Sequence, residues 1–343
     1  MYYLLSYTHF WDILPWLFYI ILYRLTYFYL CRRNMKKILV SGSIAYDMIM
    51  QFDGEFKDLI LPDQIDQLNV CFNISTMEKR NWWTAHNIAY SLWLLWLTAN
   101  TLLLTSVGKD FVTDEWLEKL INYDSIYRDD TLYTASCTIV TEKKQNQIIT
   151  FYLWALAVTD PLSLDNCSDA HEISYAMLSP NGKIALKFIK ECKERGIKTF
   201  FDPWQTIWLY TKEELDWVLH TVDYLIVNEY EYSLVKNISW LWDEDILALV
   251  DKLIITLGSK WTNLISKTEN ILVPAVKLEH IKDPTWAWDA FRSWLLYGLV
   301  NEYSRESSLR YWNAVASFVV ESDWWMNHHF TLWDVEKRVA ALV

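Results

Sequence analysis

The stretch DPTWAWDAFRSWLLYGL, Asp283 to Leu299, runs from a turn into an apolar helix and puts a carboxylate, Asp289, where that helix begins. A helix start offers free backbone N–H groups and the positive end of the helix dipole, which suit phosphate charge. A carboxylate there can take a proton from a hydroxyl as it attacks phosphorus. Other polar groups follow short apolar runs: Asp47, Asp202, Asn228 with Glu231, and Gly258. Asn228 and Glu231 are separated by two residues, a spacing that can hold a magnesium ion through its water shell. Phosphate needs bare backbone, yet Trp286 and Trp288 flank Ala287 in the turn before Asp289.

These residues need a scaffold, and the hydrophobic pattern supplies one. An apolar strand at 37–41 is followed by a turn at Gly42 and Ser43. Helical spacing covers 84–96, and 101–107 reads as a strand. Beyond residue 176 strands and helices alternate, with strands at 176–179, 199–202, 224–228 and 252–256. Helices are expected at 182–195, 211–219, 243–250, 287–303 and 307–321. That rhythm predicts an α/β fold, a doubly wound, mostly parallel sheet flanked by helices, with ligands beyond the carboxyl ends of its strands. Segments 45–75 and 134–152 break the rhythm. They are expected to form a small β-sheet lid, whose exposed edge offers a homodimer contact and whose Phe72, Phe151 and Tyr152 could stack on a base.

Composition narrows the partners. The balance of 31 basic to 43 acidic residues gives a net charge of −12, which argues against nucleic acid. Five cysteines, scattered and without a C-x-x-C pair, suit reduced thiols in a cytoplasmic protein. Residues 1–34 are a different polymer, aromatic and apolar. Their 13–30 stretch is long enough to span a bilayer but carries Pro15 and Arg24. Two readings follow: a membrane anchor held by Arg32 and Arg33, or a prefix upstream of a true start at Met35. The domain proper is expected to be 35–343.

Over Met35 to Val343 the chain resembles the ribokinase/PfkB family of sugar and nucleoside kinases. The family signature D-T-x-G-A-G-D-x-F is met by D-P-T-W-A-W-D-A-F, its N-x-x-E motif by Asn228 and Glu231, and its T-x-G-x-x-G turn by Thr256, Gly258 and Trp261. Its G-G-x-x-x-N-x-A segment is met by WWTAHNIA, with Trp82, Trp83, Asn87 and Ala89, and its opening G-S-x-x-x-D by Gly42, Ser43 and Asp47. The resemblance implies a ribokinase-like fold and transfer of the ATP γ-phosphate to a hydroxymethyl group of a nucleoside or sugar. Asp289 would be the base, and the backbone of Trp286, Ala287 and Trp288 the anion hole. Asp47 and Asn87, with Trp82 and Trp83, would hold substrate; Asn228, Thr256, Gly258, Lys260 and Trp261 would hold nucleotide. Glu231 and Asn228 would lie near Mg2+, and Asp283 near a monovalent cation such as K+, although Pro284 replaces the usual threonine there. GSIAYD, LNVCF and NQIITFYLWA look most like adenosine-kinase-like bacterial members, which favours a purine nucleoside over ribose or a fructose phosphate. The rival reading is a membrane-tethered relative without catalysis.

The rival exists because of two counts, 21 tryptophans and 7 glycines. Glycine at its usual ~7% would number about 24 here. Trp82, Trp83, Trp204, Trp261, Trp286, Trp288 and Trp312 all fall on family glycine positions, and Trp96 and Trp294 are assigned to the same set. Random change would scatter; this pattern is a substitution rule. A gene whose UGA codons mean glycine but were read as tryptophan produces it. On that reading the chain as written is inactive, and the encoded glycine chain is the kinase.

Overall fold

The computed structural model describes residues 36–342 other than 83, 96, 98–99, 114, 145, 180–181, 259, 279, 281–286 and 323–329. The apolar prefix, Trp83, Trp96, Asp283 and Trp286 therefore lie outside the described residues. Among the described residues no helix is long and apolar enough to cross a membrane.

The chain opens with β1 (Lys37–Ser41), whose apolar run is buried on both faces, as a strand inside a helix-covered sheet must be. It pairs in parallel with β4 (Thr101–Leu103) on one side and β9 (Ile173–Leu178) on the other. The sheet continues in parallel through β10 (Lys198–Phe201), β11 (Tyr224–Asn228) and β12 (Lys252–Thr256). It ends in an antiparallel hairpin, β13 (Trp261–Ile265) and β14 (Asn270–Pro274), that the sequence pattern did not disclose. The eight-stranded order is β14-β13-β12-β11-β10-β9-β1-β4.

A separate four-stranded sheet consists of β3 (Ile74–Trp82), β2 (Ala45–Phe52), β7 (Ala135–Glu142) and β8 (Gln147–Tyr152), in that order. Its central pair, β2 with β7, is parallel, so the two segments join side by side and not only as hairpins. The expected strand at 101–107 is two strands. Residues 106–108 leave the main sheet as β5 (Ser106–Gly108) and pair with β6 (Tyr127–Asp129).

The helices that matter for the site are α1 (Thr84–Leu94), α2 (Glu115–Glu118), α3 (Ile184–Arg195), α4 (Lys212–Thr221), α5 (Glu229–Ser239), α6 (Asp243–Leu249), α7 (Ala287–Val300), α8 (Arg305–Val320) and α9 (Leu332–Ala340). Side chains close several helix starts: Thr211, Asn228 and Thr331 each form a reciprocal capping box with an acid three residues on. Helix α5 lies outside the helices expected from the sequence.

Two helix ends compare a glycine with a tryptophan. Helix α3 stops at Gly196 in the left-handed conformation, φ 68° and ψ 23°. Helix α5 stops in nearly the same conformation, φ 60° and ψ 28°, but the residue is Trp240. Among the described residues, positive φ outside glycine occurs at Trp154, Trp204, Trp240 and Glu302. Three of these four are tryptophan, in a region that costs an L-residue roughly 1–2 kcal/mol. Packing says the same. Where α7 meets α8, a Cβ on Gly298 would overlap the side chain of Ser308, so the helices are set close. Trp294 and Trp312 sit at that contact fully buried, each with its indole N–H unpartnered. The Trp312 ring centroid lies 2.8 Å from that of Phe291, well inside the ~4.5–7 Å of a relaxed aromatic pair.

Candidate active site

Asp289 is the third residue of α7 and is buried. Its two carboxylate oxygens are held by different elements. Asn87 on α1 donates its Nδ2–H to Oδ2 at 2.7 Å, and Arg292, one turn along α7, donates Nη1–H to Oδ1 at 2.6 Å. Burial pushes the Asp289 carboxyl up to about 6, against the pull of Arg292 and the Asn87 hydrogen bond. Asn87, expected to hold substrate, and Asp289, expected as the base, are thus in contact.

Arg292 reaches a second carboxylate. Its Nε donates to Asp202 Oδ2 at 2.6 Å and its Nη2 lies 2.5 Å from the same oxygen. Asp202 follows β10, and its Oδ1 accepts the backbone N–H of Trp204 at 3.0 Å. Sequence reading placed Asp202 at a strand end but passed over Arg292. The available signal was a lone cation inside an apolar helix, three residues after the acid, a spacing that puts both on one helix face.

Asp47 lies on β2, opposite Arg80 on β3 and Cys137 on β7. It is buried, and burial pushes its carboxyl up to about 7. Its Oδ2 and the Oδ1 of Asn87 are buried acceptors without a hydrogen-bond partner. Buried polar atoms of that kind are uncommon, and a ligand's hydroxyl groups are one way to satisfy them.

Asn228 and Glu231 lie at the junction of β11 and α5. Asn228 closes β11 and caps α5: its Oδ1 accepts from the Glu231 backbone at 2.8 Å, and Glu231 Oε2 accepts from the Asn228 backbone at 2.8 Å. Glu231 is buried, and burial together with the nearby Asp202 charge raises its carboxyl to about 7. Asn228 Oδ1 and Glu231 Oε2 are thus engaged in the cap, and a magnesium ion near the pair would be met through its water shell or through Glu231 Oε1.

Thr256, Gly258, Lys260 and Trp261 form the turn that joins β12 to β13, closed by the Leu257 N–H on the Trp261 carbonyl at 2.9 Å. Gly258 takes φ +59°, Lys260 is exposed and Trp261 is 40% exposed. Beside this turn, Thr262 bonds Asn313 on α8 at 3.1 Å. Of the expected anion hole, Ala287 opens α7 and Trp288 turns its ring to Phe291, centroids 5.7 Å apart. Trp82 pairs through its backbone with Ala45 at the end of β3.

Two enzymes give this geometry a context. The nucleoside kinase of Methanocaldococcus jannaschii is 30% identical over 293 residues, spanning 84% of this chain and 92% of that one. Its crystal structure, described as an archaeal member of the ribokinase family, superposes with a TM-score of 0.78 at 28% identity, over 90% of this chain and 99% of that one. The Burkholderia thailandensis nucleoside kinase in complex with inosine gives 0.77 at 25% identity, over 89% of this chain and 98% of that one. The same enzyme in complex with ADP-inosine gives 0.73 at 28%, over 89% of this chain and 95% of that one. The fold is therefore ribokinase-like, with the small sheet beside the parallel one. A family model for pfkB carbohydrate kinases matches residues 84–323, well over half of the chain, and the chain belongs to that family of ATP-dependent carbohydrate and nucleoside kinases.

Proposed function

We propose that the chain phosphorylates the hydroxymethyl group of a purine nucleoside from ATP, with Asp289 as the base. The observation that carries this reading is the buried contact of Asn87 with Asp289, beside a buried acceptor on Asn87 that has no partner. A substrate hydroxyl held by Asn87 and Asp47 would lie within reach of the Asp289 carboxylate. Asp289 would take that hydroxyl's proton as the oxygen attacks the γ-phosphorus. The α7 start then faces the phosphoryl oxygens with its N–H groups. Mg2+, held near Glu231 and Asn228, would neutralise charge on the phosphate oxygens. Asp283 is proposed for the monovalent cation, and the β12–β13 turn for the nucleotide.

The purine preference rests on the two nucleoside kinases, one of them holding inosine, and on the aromatic β8 residues Phe151 and Tyr152. Other sugars of the family are the second acceptor class. The lid edge is proposed as the homodimer contact and the cytoplasm as the compartment.

The test uses the full chain translated under the source's own genetic code, with ATP, Mg2+ and a panel of inosine, adenosine and ribose. Phosphorylated nucleoside is expected, with kcat reduced about 10²–10⁴-fold by Asp289→Asn. Turnover undiminished by Asp289→Asn would remove the base assignment, and turnover of ribose alone would remove the nucleoside.

A further inference from the structure

One buried polar cluster of the molecule is centred on a residue outside the quoted motifs, Arg292. Arg292 is buried with a side chain 3% exposed, and Asp202 with one 4% exposed. Its fork makes three contacts of 2.5–2.6 Å, two to Asp202 and one to Asp289. Those two carboxylates come from different layers. Asp202 belongs to the central sheet, where its backbone N–H is tied to the Leu178 carbonyl of β9 at 2.9 Å. Asp289 belongs to a helix. A planar guanidinium can bridge the two only in one orientation, because its donors point in fixed directions.

We propose that Arg292 is a positioning residue for the transfer reaction: anchored on Asp202, it fixes the orientation of the Asp289 carboxylate. It does not face the acceptor, since its described contacts are spent on the two acids. The inference rests on Asp289 being the base. Each Asp289 oxygen receives one donor, Arg292 on Oδ1 and Asn87 on Oδ2. With both rotations pinned, a remaining lone pair is held at one point in space. Loosening either pin lets the carboxyl turn, and a misplacement of about 1 Å at a reacting group costs on the order of 10²-fold in rate.

An alternative role is purely structural: an ion pair that neutralises buried charge and joins helix to sheet. The two roles differ in kinetics. Arg292→Lys retains the cation and much of the neutralisation but loses the fork. Positioning predicts kcat lowered 10- to 100-fold with acceptor KM within about threefold, since the transition state alone is affected. A structural role predicts a lower melting temperature with kcat unchanged in the folded fraction.

The experiment is steady-state kinetics on the full chain, translated under the source's code, for Arg292→Lys, Arg292→Ala, Asp202→Asn and the Arg292→Ala/Asp202→Asn pair. Added guanidinium chloride at sub-denaturing concentration is expected to restore part of kcat in Arg292→Ala and none in Arg292→Lys. The double variant is expected to lose no more than the worse single, because both act through one contact. Unchanged kcat in Arg292→Lys, losses confined to KM, or losses that multiply in the double variant would overturn the proposal. If Arg292→Ala fails to fold, Arg292→Lys and Asp202→Asn decide alone by the kcat–KM split. Asp289→Asn is run alongside: if it leaves kcat intact, the base assignment has failed and not merely the role of Arg292.

Discussion

Asn87 and Asp289, 202 positions apart in the chain, share a 2.7 Å hydrogen bond in the interior. The donor is a neutral amide and the acceptor a carboxylate, so the bond is charge-assisted and stronger than an ordinary amide pair. Helix α1 follows β3 and α7 comes from the chain's last third, so the fold has to be complete before the pair exists. Replacing Asn87 by Leu removes the donor and the unpartnered acceptor while keeping bulk. Loss of a bond to a charged group costs about 1.5–3 kcal/mol, which converts to roughly 10- to 150-fold in kcat/KM for the acceptor. Steady-state kinetics check it, and an unaltered kcat/KM would take Asn87 out of the site.

The pH dependence of the reaction follows from the same carboxylate. A base must be ionised, and burial holds Asp289 at about 6. The kcat/KM profile, which reports the free enzyme, is expected to fall on the acid side with a midpoint near 6. A profile flat down to pH 4.5 would mean that another group accepts the proton.

Asp289 and Asn87 were legible in the sequence as candidate site residues, and Arg292 was not, for a physical reason. Asp289, Asn87 and Asp47 sit in motifs whose spacing is local, so each can be read where it stands. The Asp202–Arg292 pair spans 90 positions and exists only through packing. Glu231 is ambiguous for a different reason. A capping box and a metal motif use the same residues at the same spacing, and only the fold shows Glu231 Oε2 committed to the Asn228 backbone. Strands β1, β9, β11 and β12 were legible because parallel strands are continuous apolar runs, whereas β13 and β14, polar on one face, were not.

Stability should depend on pH with a definite sign. Asp47 and Glu231 are held at about 7 and Asp289 at about 6, all above ordinary carboxylates. Folded protein therefore binds more protons than unfolded through this range, and stability is lost as pH rises through 6 to 7. His86, buried and held well below its ordinary value, acts oppositely and lowers stability as pH falls through about 6.5. Three groups outweigh one, so the melting temperature is expected to be higher at pH 6.5 than at pH 8, and higher still at pH 5.5. Calorimetry at these pH values decides, and Asp47→Asn should flatten the slope. A melting temperature that rises toward pH 8 would contradict the burial of these carboxyls.

The left-handed tryptophans give a test independent of activity. At Trp204 (φ 44°) and Trp240 (φ 60°) a Cβ is strained, and glycine is not. Trp204→Gly and Trp240→Gly are each expected to stabilise the chain as written by about 1 kcal/mol. Trp242 is the control: it is 79% exposed at φ −89°, so Trp242→Gly should gain nothing. Denaturant unfolding of the three variants compares them, and equal effects at 240 and 242 would dissociate the tryptophans from glycine geometry.

The α7–α8 contact sharpens that test, because there the expected sign runs against ordinary experience. Removing a fully buried tryptophan normally leaves a cavity and costs about 3–5 kcal/mol. Trp312 has its indole N–H unpartnered and its ring pressed on Phe291, in a contact that Gly298 and Ser308 set for close approach. Overpacking of that kind is itself destabilising. Trp312→Gly should therefore raise the soluble yield and the melting temperature of the chain as written. Trp294→Gly on the facing helix should do the same, and the two together should gain more than either. A melting temperature lowered by several degrees in Trp312→Gly would show that the interior is built around the indole, and the tryptophans would then be native to the fold.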